Sequence, residues 1–234
     1  MEGHNRSISE KEYVHDRLGD RFASALSAYD TERRVHVLID EFLENESLHG
    51  KSVLDVGTGL GFFAEKLKNR GANVVAVDIG ENLLRHVRQK VGCECLCVDA
   101  LALVEHFGVN RFDVAVSSEC IEHTPAPDEA LKQMVRVVKP GGLISVSTPN
   151  VLWKPAVTAA TALKLRPFEG YENFSTFGSI RRTLERSNAV VLREKGLHLF
   201  PFQLKFPRLS RWCDERLQSM RALMINLCVL ARKN

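Results

Sequence analysis

Val53-Leu54-Asp55-Val56 runs without a break into Gly57-Thr58-Gly59-Leu60-Gly61 and then Phe62-Phe63, so a short apolar strand is followed at once by a glycine turn. Few folds accommodate that junction. Side-chain-free positions let the backbone bend through angles other residues avoid and let a ligand approach it closely, while the helix beyond opens on unpaired N–H groups. The unit therefore predicts a parallel α/β sheet with a nucleotide-sized crevice at the carboxyl ends of its strands. The spacing narrows the ligand. A dinucleotide fingerprint reads G-x-G-x-x-G, with a third glycine for close helix packing under a pyrophosphate. Here the pattern is G-x-G-x-G, Phe62 stands where that third glycine belongs, and Asp55 lies two residues before the first. A fixed carboxylate there repels a pyrophosphate and suits a ligand carrying an ammonium group.

The rest of the chain alternates in the same sense. Strands are predicted over Ser52–Val56, Asn73–Val77, Glu94–Val98, Phe112–Ser117 and Leu143–Ser147. Helices are predicted over Phe62–Lys68, Glu81–Val91 and Asp128–Val137, and Pro140-Gly141-Gly142 makes a turn. Short connections between such elements place helices on both faces of a parallel sheet. Ahead of this core, Leu18, Phe22, Ala25, Leu26 and Tyr29 form one helical stripe. A second, Val35, Leu38, Ile39, Phe42 and Leu43, follows the capping-type residues Asp30 and Thr31. After it, 151–173 breaks the rhythm as an insertion above the carboxyl edge. A helix over Ser175–Asn188, a strand over Ala189–Leu199, a basic helix over Pro207–Arg221 and a closing strand over Met224–Ala231 complete the chain.

Composition excludes several classes. A chain of 234 residues that is 44% hydrophobic buries one substantial core, and a net charge of +3 gives no electrostatic case for nucleic acid. The polar start Met1-Glu2-Gly3-His4 is not a signal peptide and no apolar run spans a bilayer, so a cytoplasmic protein is expected. Six cysteines without C-x-x-C spacing fit a reducing compartment better than a zinc site. Cys93, Cys95 and Cys97 alternate and share one strand face.

Two further acids follow strands. Asp78 ends the second about twenty residues beyond the glycines, where a carboxylate accepts from ribose hydroxyls; otherwise it caps the next helix. Asp99 ends the third in Val98-Asp99-Ala100-Leu101. After the fourth comes Ser117-Ser118-Glu119-Cys120-Ile121-Glu122-His123-Thr124-Pro125, followed by a helix and Val137-Val138-Lys139-Pro140-Gly141-Gly142. Together with the glycine loop, these residues resemble the class I S-adenosylmethionine (SAM)-dependent methyltransferases, in particular the ubiquinone-biosynthesis O-methyltransferase type of small-molecule enzyme. The likeness covers 51–150 and then fades.

The resemblance implies a Rossmann-like, doubly wound α/β fold: seven strands with the last antiparallel, N-terminal helices and a lid insertion after the fifth strand. It divides a single methyltransferase domain, 1–234, into an N-terminal helical cap (1–45), a SAM-binding core (51–150), a substrate lid (151–188) and C-terminal strands and helix (189–234). SAM is then expected against Asp55, Gly57, Thr58, Gly59, Gly61, Phe62, Asp78, Ile79, Asp99, Ala100, Leu101, Ser118 and Glu119. His123 and Glu122 are the catalytic candidates, with His123 as base for a hydroxyl acceptor. Trp153, Tyr171 and Phe174, with Phe168 and Phe177, make a candidate substrate wall.

Glu119, Glu122 and His123 also form an E-x-x-E-H set. On a helical turn they share one face, two oxygens and a nitrogen suited to Mg²⁺ or another divalent cation. The spacing is similar to the metal site of small-RNA 2′-O-methyltransferases, as is Ser147-Thr148-Pro149-Asn150, but the further histidine of that site has no counterpart here. The alternative is that Glu119 lines the SAM pocket while Glu122 and His123 tie down their loop. The expected partner is a small-molecule acceptor, not nucleic acid. Lys205, Arg208, Arg211, Arg216 and Arg221, interleaved with Phe206, Leu209, Trp212 and Leu217, either rest on an anionic membrane or form the solvated face of a packed helix, the favoured reading. An RNA 2′-O-methyltransferase, an N- or C-methyltransferase and a silent SAM-binding module share parts of the pattern; Asp55 and the glycine spacing oppose a nicotinamide oxidoreductase.

Overall fold

The computed structural model describes residues 28–163, 170–199 and 206–234. Its strands are β1 (Ser52–Val56), β2 (Asn73–Asp78), β3 (Glu94–Cys97), β4 (Phe112–Ser118), β5 (Val138–Pro149), β6 (Ala189–Leu197) and β7 (Asn226–Lys233). They form one sheet in the order β3-β2-β1-β4-β5-β7-β6. β1 runs parallel to β2 and β4, β2 to β3, and β4 to β5, whereas β7 is antiparallel to both β5 and β6. The Rossmann-like sheet with an antiparallel last strand is thus the observed fold, and the glycine turn, Asp78 and Glu119 all follow or end strands at its carboxyl edge, where the expected crevice would lie.

Side-chain alternation along β1 divides the core. Val53 packs with Val37, Leu38, Leu67, Val74 and Val87 on one face, while Leu54 and Val56 pack with Leu103, Phe112, Met134 and Ile144 on the other. The helices supplying those faces are α1 (Ala28–Val35), α2 (Phe62–Asn69), α3 (Glu81–Val91), α4 (Leu103–Phe107) and α5 (Pro127–Val137). Beyond β5 come α6 (Lys154–Ala162), α7 (Phe177–Arg186) and α8 (Pro207–Arg216). Thr176 starts α7 with a capping box, its hydroxyl accepting from the Ser179 N–H while Ser179 accepts from the Thr176 N–H.

Several boundaries differ from the sequence reading. Asp30 and Thr31 do not cap a helix; they lie inside α1 and are buried, because Asp30 is recruited by Arg34 and His198. α1 then widens into a π-helical turn over His36–Glu41, with the Phe42 N–H bonded to Val37 O. The Pro140-Gly141-Gly142 turn is a bulge within β5: Phe112 pairs with Val138, and the ladder resumes at Val114 with Leu143. At Gly142 a Cβ would stand 2.6 Å from Asp113 O, so only glycine fits. The basic helix stops at Arg216, and Gln218–Leu223 continues as a 3₁₀ segment. The stripe through Leu18 and Leu26 lies outside the described residues, as do Phe168 and Lys205. Among the described residues, no helix is long and apolar enough to cross a membrane.

Candidate functional site

The glycine loop hangs from β2. The Gly57 and Thr58 N–H groups both donate to Val77 O, and Gly57, Gly59 and Gly61 all take positive φ. Gly57 is irreplaceable on steric grounds, since a Cβ there would meet Cys120 Sγ at 2.3 Å. Gly59 is different: its missing Cβ faces open space, a side-chain-free cradle of the kind a ligand needs. Asp55 lies beneath the loop, buried, and accepts from the Thr58 hydroxyl at 2.7 Å. Burial pushes its carboxyl up to about 7, with Asp78 adding, against the Thr58 hydroxyl and Ala64 N–H that favour the anion. Asp78 grips the loop from the other side, accepting from the Gly59 N–H at 2.9 Å and the Gly80 N–H at 3.0 Å.

Around this loop the expected positions assemble. Phe62 and Ile79 are 40% and 37% exposed beside the glycines, with Lys90 Nζ 5.0 Å over the Phe62 ring. Asp99 is exposed and its Oδ1 accepts from the Leu101 N–H at 2.8 Å, an Asx turn that aims the carboxylate; Ala100 is buried next to it. Open cradle, apolar flanks and three acids on consecutive strands fit a cationic nucleoside.

At the end of β4 the chain departs from the helical turn expected of Glu119–His123. Glu119 takes a left-handed φ of 50°, and only Ile121–His123 form a 3₁₀ turn. The cause is local: the Glu119 N–H donates to Ser147 O, and its Oε1 accepts from the Ser147 hydroxyl at 3.1 Å. Asn226 also bonds the Glu119 side chain. Glu122 is buried; its Oε2 accepts from the Thr148 hydroxyl at 3.4 Å and its Oε1 lies 3.8 Å from His123 Nε2. Burial raises both carboxyls, and the like charge of Glu119 raises Glu122 further. Among the described residues, Glu119, Glu122 and His123 do not converge as a metal-ligand group.

His123 is held by the segment that follows α6. Its Nδ1 lies 3.0 Å from Tyr171 O, and a carbonyl only accepts, so Nδ1 carries the proton. In the neutral ring Nε2 is then the basic nitrogen. The same loop is stitched at two more points, Asn173 N–H to Glu122 O and Asn173 Nδ2 to Thr124 O.

One group at the crevice escaped the sequence reading. Arg34, in α1, is buried and donates through Nη1 to Ser118 Oγ at 2.6 Å while Nε and Nη2 hold Asp30. Two adjacent arginines just ahead of the apolar stripe are the available signal, but nothing in the spacing ties Arg34 to a residue 84 positions on.

Residues 54–146 match the model of a methyltransferase domain. They are a methyltransferase domain. The ubiquinone biosynthesis O-methyltransferase of Pseudomonas entomophila is 36% identical over 143 residues, 57% of this chain and 61% of that protein. The one from Idiomarina loihiensis is 36% identical over 118 residues, 47% of each chain. The chain thus spans 61% of the length of the Pseudomonas relative. In fold it is similar to the magnesium protoporphyrin IX methyltransferase of Synechocystis, solved with bound S-adenosylhomocysteine (TM-score 0.67, 15% identity, 96% and 98% of the two chains covered). It is also similar to a SAM-dependent methyltransferase of Mesorhizobium loti (TM-score 0.65, 19% identity, 88% and 100% covered).

Beyond the matched stretch lies the segment after β5. Trp153 is half-buried with its indole N–H on Leu223 O, Tyr171 is exposed, and Phe174 is half-buried. Phe177 packs on the core beneath Arg221 instead of facing the crevice. Asn150 ties the end of β5 to the C-terminal segment, its Nδ2 reaching Ala222 O and Met224 O. On α8 the buried face is Ser210, Cys213 and Asp214, while Leu209 and Trp212 stand exposed beside Arg208 and Arg211. A cleft of about 450 Å³ between Lys68, Asn73, Cys93 and Arg111 lies at the opposite, amino edge of the sheet, away from this domain's glycine loop.

Proposed function

We propose that this protein is a SAM-dependent enzyme that methylates a hydroxyl of a small-molecule acceptor. The observation that carries the reading is the contact of His123 Nδ1 with Tyr171 O, which assigns the ring proton to Nδ1 and the basic lone pair to Nε2. Gly57, Gly59 and Gly61 would cradle SAM, Asp78 would hold the ribose, and Asp99 would hold the base beside Phe62 and Ile79. Asp55 faces the ammonium group. SAM, when bound, supplies a methyl group on a sulfonium that departs as a neutral thioether, leaving S-adenosylhomocysteine.

The protein's part is alignment and one proton. The acceptor oxygen bonds to the methyl carbon as the carbon–sulfur bond breaks, and the hydroxyl proton passes to His123 Nε2. Glu122, its carboxyl raised by burial and by Glu119, lies beside that ring with Oε1 3.8 Å from Nε2. Trp153, Tyr171 and Phe174 flank the acceptor. The donor set does not fit Mg²⁺: Glu119 is engaged by Ser147 and Asn226, and Glu122 by Thr148, so no step is derived through a cation.

Thermal-shift titration and transfer of labelled methyl from SAM to phenols, sugars and amines test the reading together. Stabilisation by S-adenosylhomocysteine but not by NAD(H), with label on a hydroxyl and turnover surviving chelation, is the expected result. No stabilisation removes the nucleoside; binding without any product identifies a silent module; label on nitrogen or carbon reassigns the acceptor.

A further inference from the structure

A buried polar chain runs from the end of β6 to the crevice. His198, just past β6, is wholly buried, and its Nε2 donates to Asp30 Oδ1 at 2.9 Å. The other Asp30 oxygen holds Arg34 through Nε at 3.1 Å and Nη2 at 2.8 Å. Arg34 Nη1 donates to Ser118 Oγ, Ser118 Oγ lies 2.9 Å from Ser147 Oγ, and Ser147 donates to Glu119 Oε1. Direction is imposed by the arginine: a guanidinium only donates, so Ser118 accepts from it and passes its own hydrogen to Ser147, which passes one to Glu119. Charges are arranged to match. Burial would raise the Asp30 carboxyl, but Arg34 and His198 outweigh it and hold Asp30 at about 2. The His198 end is anchored in turn, its N–H on Asp214 Oδ1 at 2.8 Å and its ring tilted against Tyr29.

A tie between α1 and the β6–α8 segment needs none of this, because apolar packing joins elements at lower desolvation cost. What the polar chain adds is a defined orientation for Ser118 and Glu119, the last two residues before the turn to His123. We propose that Asp30 and His198 are positioning residues: by holding Arg34 they set the Ser118–Ser147–Glu119 row against the bound nucleoside. The C-terminal segment thereby contributes to cofactor affinity without touching the cofactor. This rests on the nucleoside reading of the crevice.

Calorimetric titration of S-adenosylhomocysteine into the full chain and its His198→Gln, Asp30→Asn and Asp30→Glu variants tests it, alongside the melting temperature of each ligand-free protein. His198→Gln, remote from the crevice, should weaken affinity about fivefold, and Asp30→Asn more than tenfold, the scale of one charge-assisted hydrogen bond. Asp30→Glu, which keeps the charge, should stay within about threefold of wild type. A structural tie alone would lower melting temperatures and leave the affinity of the folded variants unchanged, which overturns the proposal. If Asp30→Asn does not fold, the His198→Gln and Asp30→Glu pair decides on the same terms. Wild-type protein that binds no S-adenosylhomocysteine is a different failure, that of the nucleoside reading itself.

Discussion

The two halves of the crevice are built on different principles. On the β1–β3 side, side-chain oxygens are held mainly by backbone: Asp99 by the N–H two residues on, Asp78 by the Gly59 and Gly80 N–H groups, Asp55 by the Ala64 N–H together with the Thr58 hydroxyl. On the β4–β7 side, side chains hold side chains across 28, 84 and 168 positions, and Glu119 and Glu122 are both pushed towards neutrality. Backbone-held groups keep their geometry whether or not a ligand is present, which suits binding. Buried side-chain networks let small displacements alter charge and proton affinity, which suits chemistry.

The sharpest way to break that contrast is His123→Ala. If chemistry resides on the β4–β7 side alone, kcat should fall about 10²- to 10⁴-fold, the usual worth of a positioned base, while the affinity for S-adenosylhomocysteine stays within about twofold. Single-turnover kinetics and calorimetry on one preparation separate the two. Equal losses in both would show that the halves are not independent.

A smaller effect sharpens the binding side. Asp55, raised by burial to about 7 in the free protein, is lowered when an ammonium group sits beside it. Below pH 7 the free carboxyl is protonated and binding must release that proton, so affinity for S-adenosylhomocysteine should fall up to about tenfold per pH unit on acidification. Above pH 7 it should level off. For the ligand-free fold the sign is opposite: a carboxyl raised on folding stabilises fully below its unfolded value, and that contribution is lost as pH rises through 7. The ligand-induced gain in melting temperature should therefore grow between about pH 4 and pH 7, and Asp55→Asn should flatten it.

The same contrast explains what was legible in the sequence. Glycine spacing, Asp78 and Asp99 work through partners close in the chain, so their placement followed from local pattern. Asp30 and Thr31 look like caps by the same local logic, yet the partner that draws Asp30 into the interior is His198, which no window along the chain contains. Glu119, Glu122 and His123 have helical spacing, but Ser147 pulls Glu119 into a left-handed backbone and the shared face is lost. The basic helix was overextended because Leu217 and Gln218 read as helix continuation, whereas Gln218 turns back to bond both Gly196 N–H and C=O. The parallel core follows from strand–helix alternation and the antiparallel last strand from the family resemblance; the polar floor under the cap helix follows from neither.

The weakest expected effect probes how the binding half shares its load. Asp99 is exposed and its Oδ1 is already occupied by the Leu101 N–H, so water competes for whatever it offers a base. Removing it forfeits about one solvent-accessible hydrogen bond, near 1 kcal/mol, which is about fivefold in affinity. Asp99→Ala should thus raise the KM for SAM about fivefold and leave kcat and the pH dependence set by Asp55 untouched. Asp78 is the internal control, because its loss also frees the Gly59 N–H and loosens the cradle; Asp78→Ala should cost at least tenfold more than Asp99→Ala. If the two variants prove equal, the loop does not depend on Asp78 for its shape, and the backbone-held character of this side rests on the glycines alone.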